Sequence, residues 1–180
     1  MVVALLGLPG AGKSTLGAEL AARFGWARLS TGEALRAAAT ADAALMTSLD
    51  AGALAPEQTV VTIVTNFVAS VGHKDIIIDG FPRHEDQLAD ADRIFRSWRP
   101  VLLEATLDNC LDRLLRRGDA ASRRSDDAPP TIRRRILDAQ PLLRALLEAI
   151  DRRSQAIVRL NANRPLELVV DEASEKLRAF

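Results

Sequence analysis

The run Gly7-Leu8-Pro9-Gly10-Ala11-Gly12-Lys13-Ser14-Thr15 constrains this chain more than any other stretch. It has the spacing glycine, four residues, Gly-Lys-Ser, and it follows a short apolar run from Val2 to Leu6. Behind it, Leu16, Leu20, Ala21 and Phe24 recur at helical spacing. Strand, glycine loop and helix in that order give the pattern a mechanism. Glycines let successive backbone N–H groups turn inward on a polyphosphate, and the helix start adds its dipole. Lys13 supplies a point charge for the β and γ phosphates, and the hydroxyl of Ser14 or Thr15 is placed for Mg²⁺. A nucleotide site is expected here.

The rest of the chain alternates strand and helix signals. Trp26 to Leu29 reads as a short strand, and Ser30 with Glu33 three residues on forms a capping box. Ala34 to Asp50 is alanine-rich and helical, with a break near Thr40; Pro56 and Glu57 open another helix to about Ser70. Asp75 to Asp79 is β-branched and continuously apolar between acids, as in a strand buried on both faces. A helix from His84 to Phe95 and a strand from Val101 to Ala105 follow, and Asp108 is placed to cap the helix carrying Cys110 and Arg113. Gly118 to Pro130 is polar and reads as a surface loop. Thr131 to Ser154 is helical, interrupted or restarted at Pro141, before a last strand at 156–160 and a helix from Pro165 to Ala179. This alternation implies one α/β domain over residues 1–180, its parallel sheet covered on both faces, with excursions at about 30–55 and 116–130.

The 180 residues suit one domain with a buried core. Formal charge balances at zero, so no overall field favours nucleic acid or an acidic membrane. No apolar run approaches the roughly 18 residues of a membrane helix. The one cysteine, Cys110, can form neither an internal disulfide nor a four-cysteine zinc site, and reads as a small buried residue. With no basic stretch ahead of the first strand, the cytosol is the expected compartment.

Asp79 ends a buried strand, where a carboxylate would orient Mg²⁺ and its waters beside the glycine loop. Eight arginines against three acids lie between Arg113 and Arg135. Arg113 and Arg117 share a helix face, and guanidinium forks match phosphate oxygens in pairs. The bland alternative for such a run is a solvated face. His84-Glu85 begins like a zinc-protease motif, but Leu88 stands where the second histidine must be. His73 and His84 therefore read as surface residues, and Trp26 and Trp98 as core or rim aromatics.

With these residues in hand, the chain resembles the adenylate kinase family along most of its length. The blocks that carry the likeness are the glycine loop, Leu29 to Arg36, Gly52 to Glu57, Asp79-Gly80-Phe81-Pro82-Arg83 with Gln87, the arginines from 113 to 135, and Asn161 to Pro165. The resemblance implies a three-layer α/β/α P-loop sandwich with a five-stranded parallel sheet, a helical acceptor-binding excursion and a short lid. It implies an ATP:AMP phosphotransferase, acting as a monomer with Mg²⁺ and no structural zinc, and without nucleic-acid or membrane partners. Gly10, Ala11, Gly12, Lys13, Ser14 and Thr15 would hold the ATP phosphates; Arg113, Arg117 and Asn163 would complete the ATP site. AMP would be held by Thr31, Arg36, Ala53, Leu54, Ala55, Gly80, Phe81, Pro82, Arg83, Gln87, Arg124 and Arg135. Lys13, Arg83, Arg117, Arg124 and Arg135 would surround the transferred group, with Ser14, Thr15 and Asp79 toward the metal. Departures from the family pattern are Ser14 in place of glycine, Glu33, His84, and a stretch from Arg135 to Pro141 one helical turn short and lacking tyrosine. Two other readings stand beside this one: a kinase for another nucleoside monophosphate such as UMP or CMP, and a non-catalytic nucleotide-binding module.

Overall fold

The structure, a computed structural model, describes residues 1–72, 74–118 and 128–178. Five strands form one parallel sheet: β1 Val2–Leu6, β2 Ala27–Ser30, β3 Ile76–Asp79, β4 Arg99–Glu104 and β5 Val158–Asn161. Their order is β2-β3-β1-β4-β5. From β1 the chain crosses to the β2 edge, returns to lay β3 between the two, and then builds β4 and β5 on the other side. A crevice therefore opens past the carboxyl ends of the central strands, the place where open α/β sheets bind ligands. The loop 7–12 leaves β1 there, and Leu5 pairs with Asp79, so both chemical signals meet at one point.

Strand side chains alternate between two core layers, as the period of a strand dictates. Val3, Leu5, Ile77, Val101 and Leu103 pack with α1 (Lys13–Phe24), α6 (Leu107–Gly118) and α8 (Leu166–Arg178). Ala4, Leu6, Ile76, Ile78 and Leu102 pack with α4 (Glu57–Val71) and α5 (Leu88–Phe95). The long helix α7 (Pro129–Arg152) serves both layers, with Ile132 and Ile136 in the first and Leu146 and Ile150 in the second.

Four local expectations need correction. Helix α7 runs unbroken through Pro141. The missing N–H deprives only the Leu137 carbonyl of its helical donor, and Leu137 lies on an exposed face, 63 % accessible, where solvent can replace it. The same helix begins at Pro129, since proline suits a first turn and Ile132 N–H reaches the Ala128 carbonyl at 2.9 Å. Asp108 lies inside α6; its cap is Thr106, whose Oγ1 accepts from Asn109 N–H at 3.3 Å. The capping box is half made: Ser30 accepts from Glu33 N–H at 3.4 Å, while the Glu33 carboxylate turns to Arg28 at 3.0 Å. The break near Thr40 is as expected, between α2 (Thr31–Ala39) and α3 (Ala43–Asp50), the latter capped by Asp42. Most of the expected surface loop, residues 119–127, and His73 lie outside the described residues. No helix among the described residues is long and apolar enough to cross a membrane.

Candidate active site

A cleft of about 840 Å³ opens at the crevice. The glycine loop and Lys13 form its floor, and the end of β3 with Gly80, Pro82 and Arg83 one wall. Helix α2 and the turn 52–55 form a second wall, α6 a third, and one face of α7 the roof. Among the described residues seven cationic side chains line it (Lys13, Arg36, Arg83, Arg113, Arg117, Arg134 and Arg135) against two carboxylates, Asp79 and Asp138. The whole chain is formally neutral, so this is a concentrated local excess, suited to a polyanion.

Gly12 adopts φ +99° and passes the chain into α1, whose first residue is Lys13. The Lys13 ammonium donates to the carbonyls of Gly7 at 2.8 Å and Leu8 at 2.9 Å. Burial lowers its pKa to about 8; the Asp79 carboxylate opposes that shift, and the Arg83 and Arg135 charges add to it. Ser14 Oγ donates to Asp79 Oδ2 at 2.5 Å, bringing two hard oxygen groups together beside the phosphate loop. Thr15 lines the same cleft. Ala11 is buried, and its carbonyl accepts from Arg113 Nη1 at 3.3 Å. Arg113 also donates through Nη2 to the Ala162 carbonyl at 2.7 Å, so its guanidinium bridges the glycine loop and the turn after β5. That turn is tied to the start of α6 by Asn163, whose Oδ1 accepts from Thr106 N–H at 2.9 Å and Asn109 Nδ2 at 2.8 Å.

A smaller pocket adjoins the cleft, lined by Thr31, Leu54, Ala55, Val60, His84 and Gln87 with Gly80 and Arg83. Buried Thr31 donates to the carbonyls of Asp79 and Gly80, both at 3.1 Å. The Gln87 Oε1, also buried, accepts the Arg83 backbone N–H at 2.8 Å, while Arg83 Nε donates to the Gly80 carbonyl at 2.9 Å.

The fold thus brings Lys13, Ser14, Thr15, Arg36, Asp79, Arg83, Arg113, Arg117 and Arg135 to one cleft, with residues 53–55 in its wall. Thr31 and Gln87 lie in the adjoining pocket. Phe81 is not exposed to either; its ring is buried edge-on to Phe95 with centroids 5.9 Å apart. Arg124 lies outside the described residues. His84 is not simply a surface residue: its side chain is 18 % accessible, in the pocket wall, with Nδ1 3.5 Å from Asp86 Oδ2. Trp98 is core, its Nε1 donating to Asp92 at 3.0 Å, and Trp26 stacks on Phe24 with centroids 4.7 Å apart. Cys110 is fully buried. The sequence singled out none of Asp138, Leu142 and Leu143, and Arg134 only as one of the eight clustered arginines; all four line the roof from α7. Arg134 and Asp138 pair at 3.5 Å, and their four-residue spacing on the helix expected from Thr131 was the available signal. No group of three or more His, Cys, Asp or Glu side chains able to hold a metal is found among the described residues.

Residues 5–164 match the family model described as adenylate kinase. A Porphyromonas gingivalis adenylate kinase is 34 % identical over 144 residues, covering 74 % of this chain and 74 % of its own. A Nitrobacter hamburgensis adenylate kinase is 30 % identical over 185 residues, covering 94 % and 88 %. Human adenylate kinase isoenzyme 1 is 33 % identical over 144 residues, covering 75 % and 73 %. Given that match and this cationic crevice behind a phosphate loop, the chain belongs to the adenylate kinase family, an α/β P-loop phosphotransferase acting on nucleoside monophosphates.

Proposed function

We propose that the chain transfers the γ-phosphoryl group of ATP to AMP, giving two molecules of ADP. The observation that supports this acceptor best is the fixed amide of Gln87. With Oε1 held by the Arg83 N–H at 2.8 Å, its Nε2 donors are left for a base. Adenine N1 is an acceptor and suits them; guanine presents a donor at the same position.

The donor triphosphate lies along residues 10–15, with its base beside Arg113 and Asn163. The acceptor phosphate meets Arg36 and Arg83, and its base enters the pocket of Thr31 and Gln87, bordered by the backbone of residues 53–55 and Gly80 to Pro82. An AMP phosphate oxygen attacks the γ-phosphorus, the bond to the β-bridging oxygen breaks, and that electron pair leaves on ADP. No general base is needed, because the acceptor phosphate is already a dianion. Lys13, Arg83, Arg117 and Arg135 hold the two nucleotides in line and take up the charge that spreads over the moving group. The oxygens of Ser14, Thr15 and Asp79 fit Mg²⁺, directly or through water, and the ion when bound offsets β- and γ-phosphate charge. The segment 116–130 is proposed to close over the phosphates and keep water from the γ-phosphoryl.

A steady-state assay with AMP, GMP, CMP and UMP tests the acceptor. AMP is expected to lead by on the order of 100-fold in kcat/KM, because the pocket is hydrogen-bonding. Gln87→Glu keeps an oxygen for the Arg83 N–H but removes the donor, and should raise the AMP KM about tenfold with kcat little changed. UMP or CMP overtaking AMP in the parent enzyme would replace this reading.

Lys13 makes a second prediction. Its free-enzyme pKa is lowered to about 8 by burial, and a bound triphosphate must raise it again. Above pH about 8, ATP binding should take up protons, seen in calorimetry as a heat that changes with the buffer's ionisation enthalpy. ATP affinity should fall as pH rises through that value. For the folded chain the sign is opposite. The unfolded lysine binds its proton more tightly, so this group's contribution to stability rises with pH from about 8 toward 10.5. Buffer-independent heats would rule this out.

A further inference from the structure

The turn between α3 and α4 meets α7 at Gly52, where neither the motif block nor the cleft chemistry explains why the residue is glycine. Its φ is +73°, and a Cβ built on it would stand 2.8 Å from Thr131 Cγ2 and 3.0 and 3.3 Å from Cγ and Cδ of Arg135. Neither obstacle is the loose end of a side chain. Thr131 is β-branched on a helix, with few rotamers open to it, and the Arg135 atoms are mid-stem, so moving them swings the guanidinium. The turn itself is pinned to α3 by Gly52 N–H to Leu49 O at 2.8 Å and Ala53 N–H to Ser48 O at 3.0 Å. Gly52 and the next residues, 53–55, line the cleft.

We infer that Gly52 is a positioning residue for Arg135. Its missing side chain lets the acceptor-side turn lie against the arginine stem, so that seating the acceptor and aiming the Arg135 guanidinium into the cleft are one event. This rests on the proposed acceptor side and adds to it a mechanical link between two walls of the cleft. The rival explanation is that Gly52 merely ends α3 in a left-handed conformation. Asparagine separates the two, because it tolerates that backbone but carries a Cβ.

Gly52→Ala and Gly52→Asn are each expected to lower kcat about 10- to 100-fold, the scale of a misplacement near 1 Å, with the ATP KM within about threefold of the parent. Thr131→Ser removes the nearest obstacle. Alone it should leave kcat within about twofold, and in the Gly52→Ala background it should recover about fivefold or more. A Gly52→Asn enzyme turning over like the parent would overturn the inference, as would a Gly52→Ala enzyme that Thr131→Ser does not improve. Should the Gly52 variants fail to fold, Thr131→Leu crowds the same spot from α7 and must also lower kcat; unchanged turnover there is equally fatal. Calorimetry of AMP binding in the presence of a non-hydrolysable ATP analogue reads the link without chemistry. Gly52→Asn should weaken AMP about tenfold. If the parent binds both nucleotides without turnover, the proposed reaction falls, while this binding result still decides the inference.

Discussion

Arg83→Ala is expected to lower kcat by about 10³-fold or more while the ATP KM changes little, on the scale of arginines that meet a phosphoryl group in flight. The geometry explains why the loss falls on turnover. Arg83 is anchored through Nε on the Gly80 carbonyl at 2.9 Å, and its charge is close enough to help depress the Lys13 pKa. The guanidinium lies in the cleft between the phosphate loop and the acceptor pocket. The backbone N–H that holds Gln87 stays in place when the side chain is cut, so base recognition should survive. The side chain is exposed and outside the core, so the melting temperature should hold too. Arg83→Lys should rescue poorly, since an ammonium cannot present two parallel donors to one phosphate. Steady-state kinetics with a thermal melt test this; an alanine enzyme within about tenfold of the parent kcat would remove Arg83 from the reaction.

Gly10→Ala should be nearly as damaging for a different reason. The added Cβ would stand 2.3 Å from the Cys110 carbonyl oxygen and 2.9 Å from its carbon, at a residue with φ +84°. Both obstacles are backbone of α6, and Cys110 is packed in the core without exposure, so the helix cannot withdraw without opening a void. The loop must move instead, by roughly 1 Å, and a cradle of amides misplaced that far loses about 100-fold in kcat/KM. Backbone strain adds about 1–3 kcal/mol, or a fall in Tm of several degrees. Gly72→Ala is the control: Gly72 also has positive φ, +64°, but its Cβ would meet nothing within 4 Å. It should lose stability and keep activity. Unchanged ATP affinity in Gly10→Ala would show that the loop accommodates the methyl.

Much of the site was legible because its residues sit in short dense blocks at strand ends. Gly7 to Thr15 follows β1 and Asp79 to Arg83 follows β3, and parallel pairing of those two strands brings the blocks together without further information. What stayed hidden depends on long-range geometry. Arg134 and Asp138 reach the cleft because Ile132 and Ile136 seat this part of α7 in the core beside Leu114 of α6, a packing that no local pattern specifies. Thr106 displaced Asp108 as a cap because Asn163, 57 residues away in sequence, holds the Thr106 N–H in place. His84 joined the pocket because the short helical turn at Glu85–Gln87 folds its side chain inward beside Gln87. Arg124 lies outside the described residues.

Helix α7 sends Ile132 and Ile136 into one core layer and Leu146 and Ile150 into the other, while its middle roofs the cleft. Neither layer can therefore come apart alone: loosening one end of this helix unseats side chains from the other side of the sheet. A ligand gripping the roof consequently steadies both halves of the interior together.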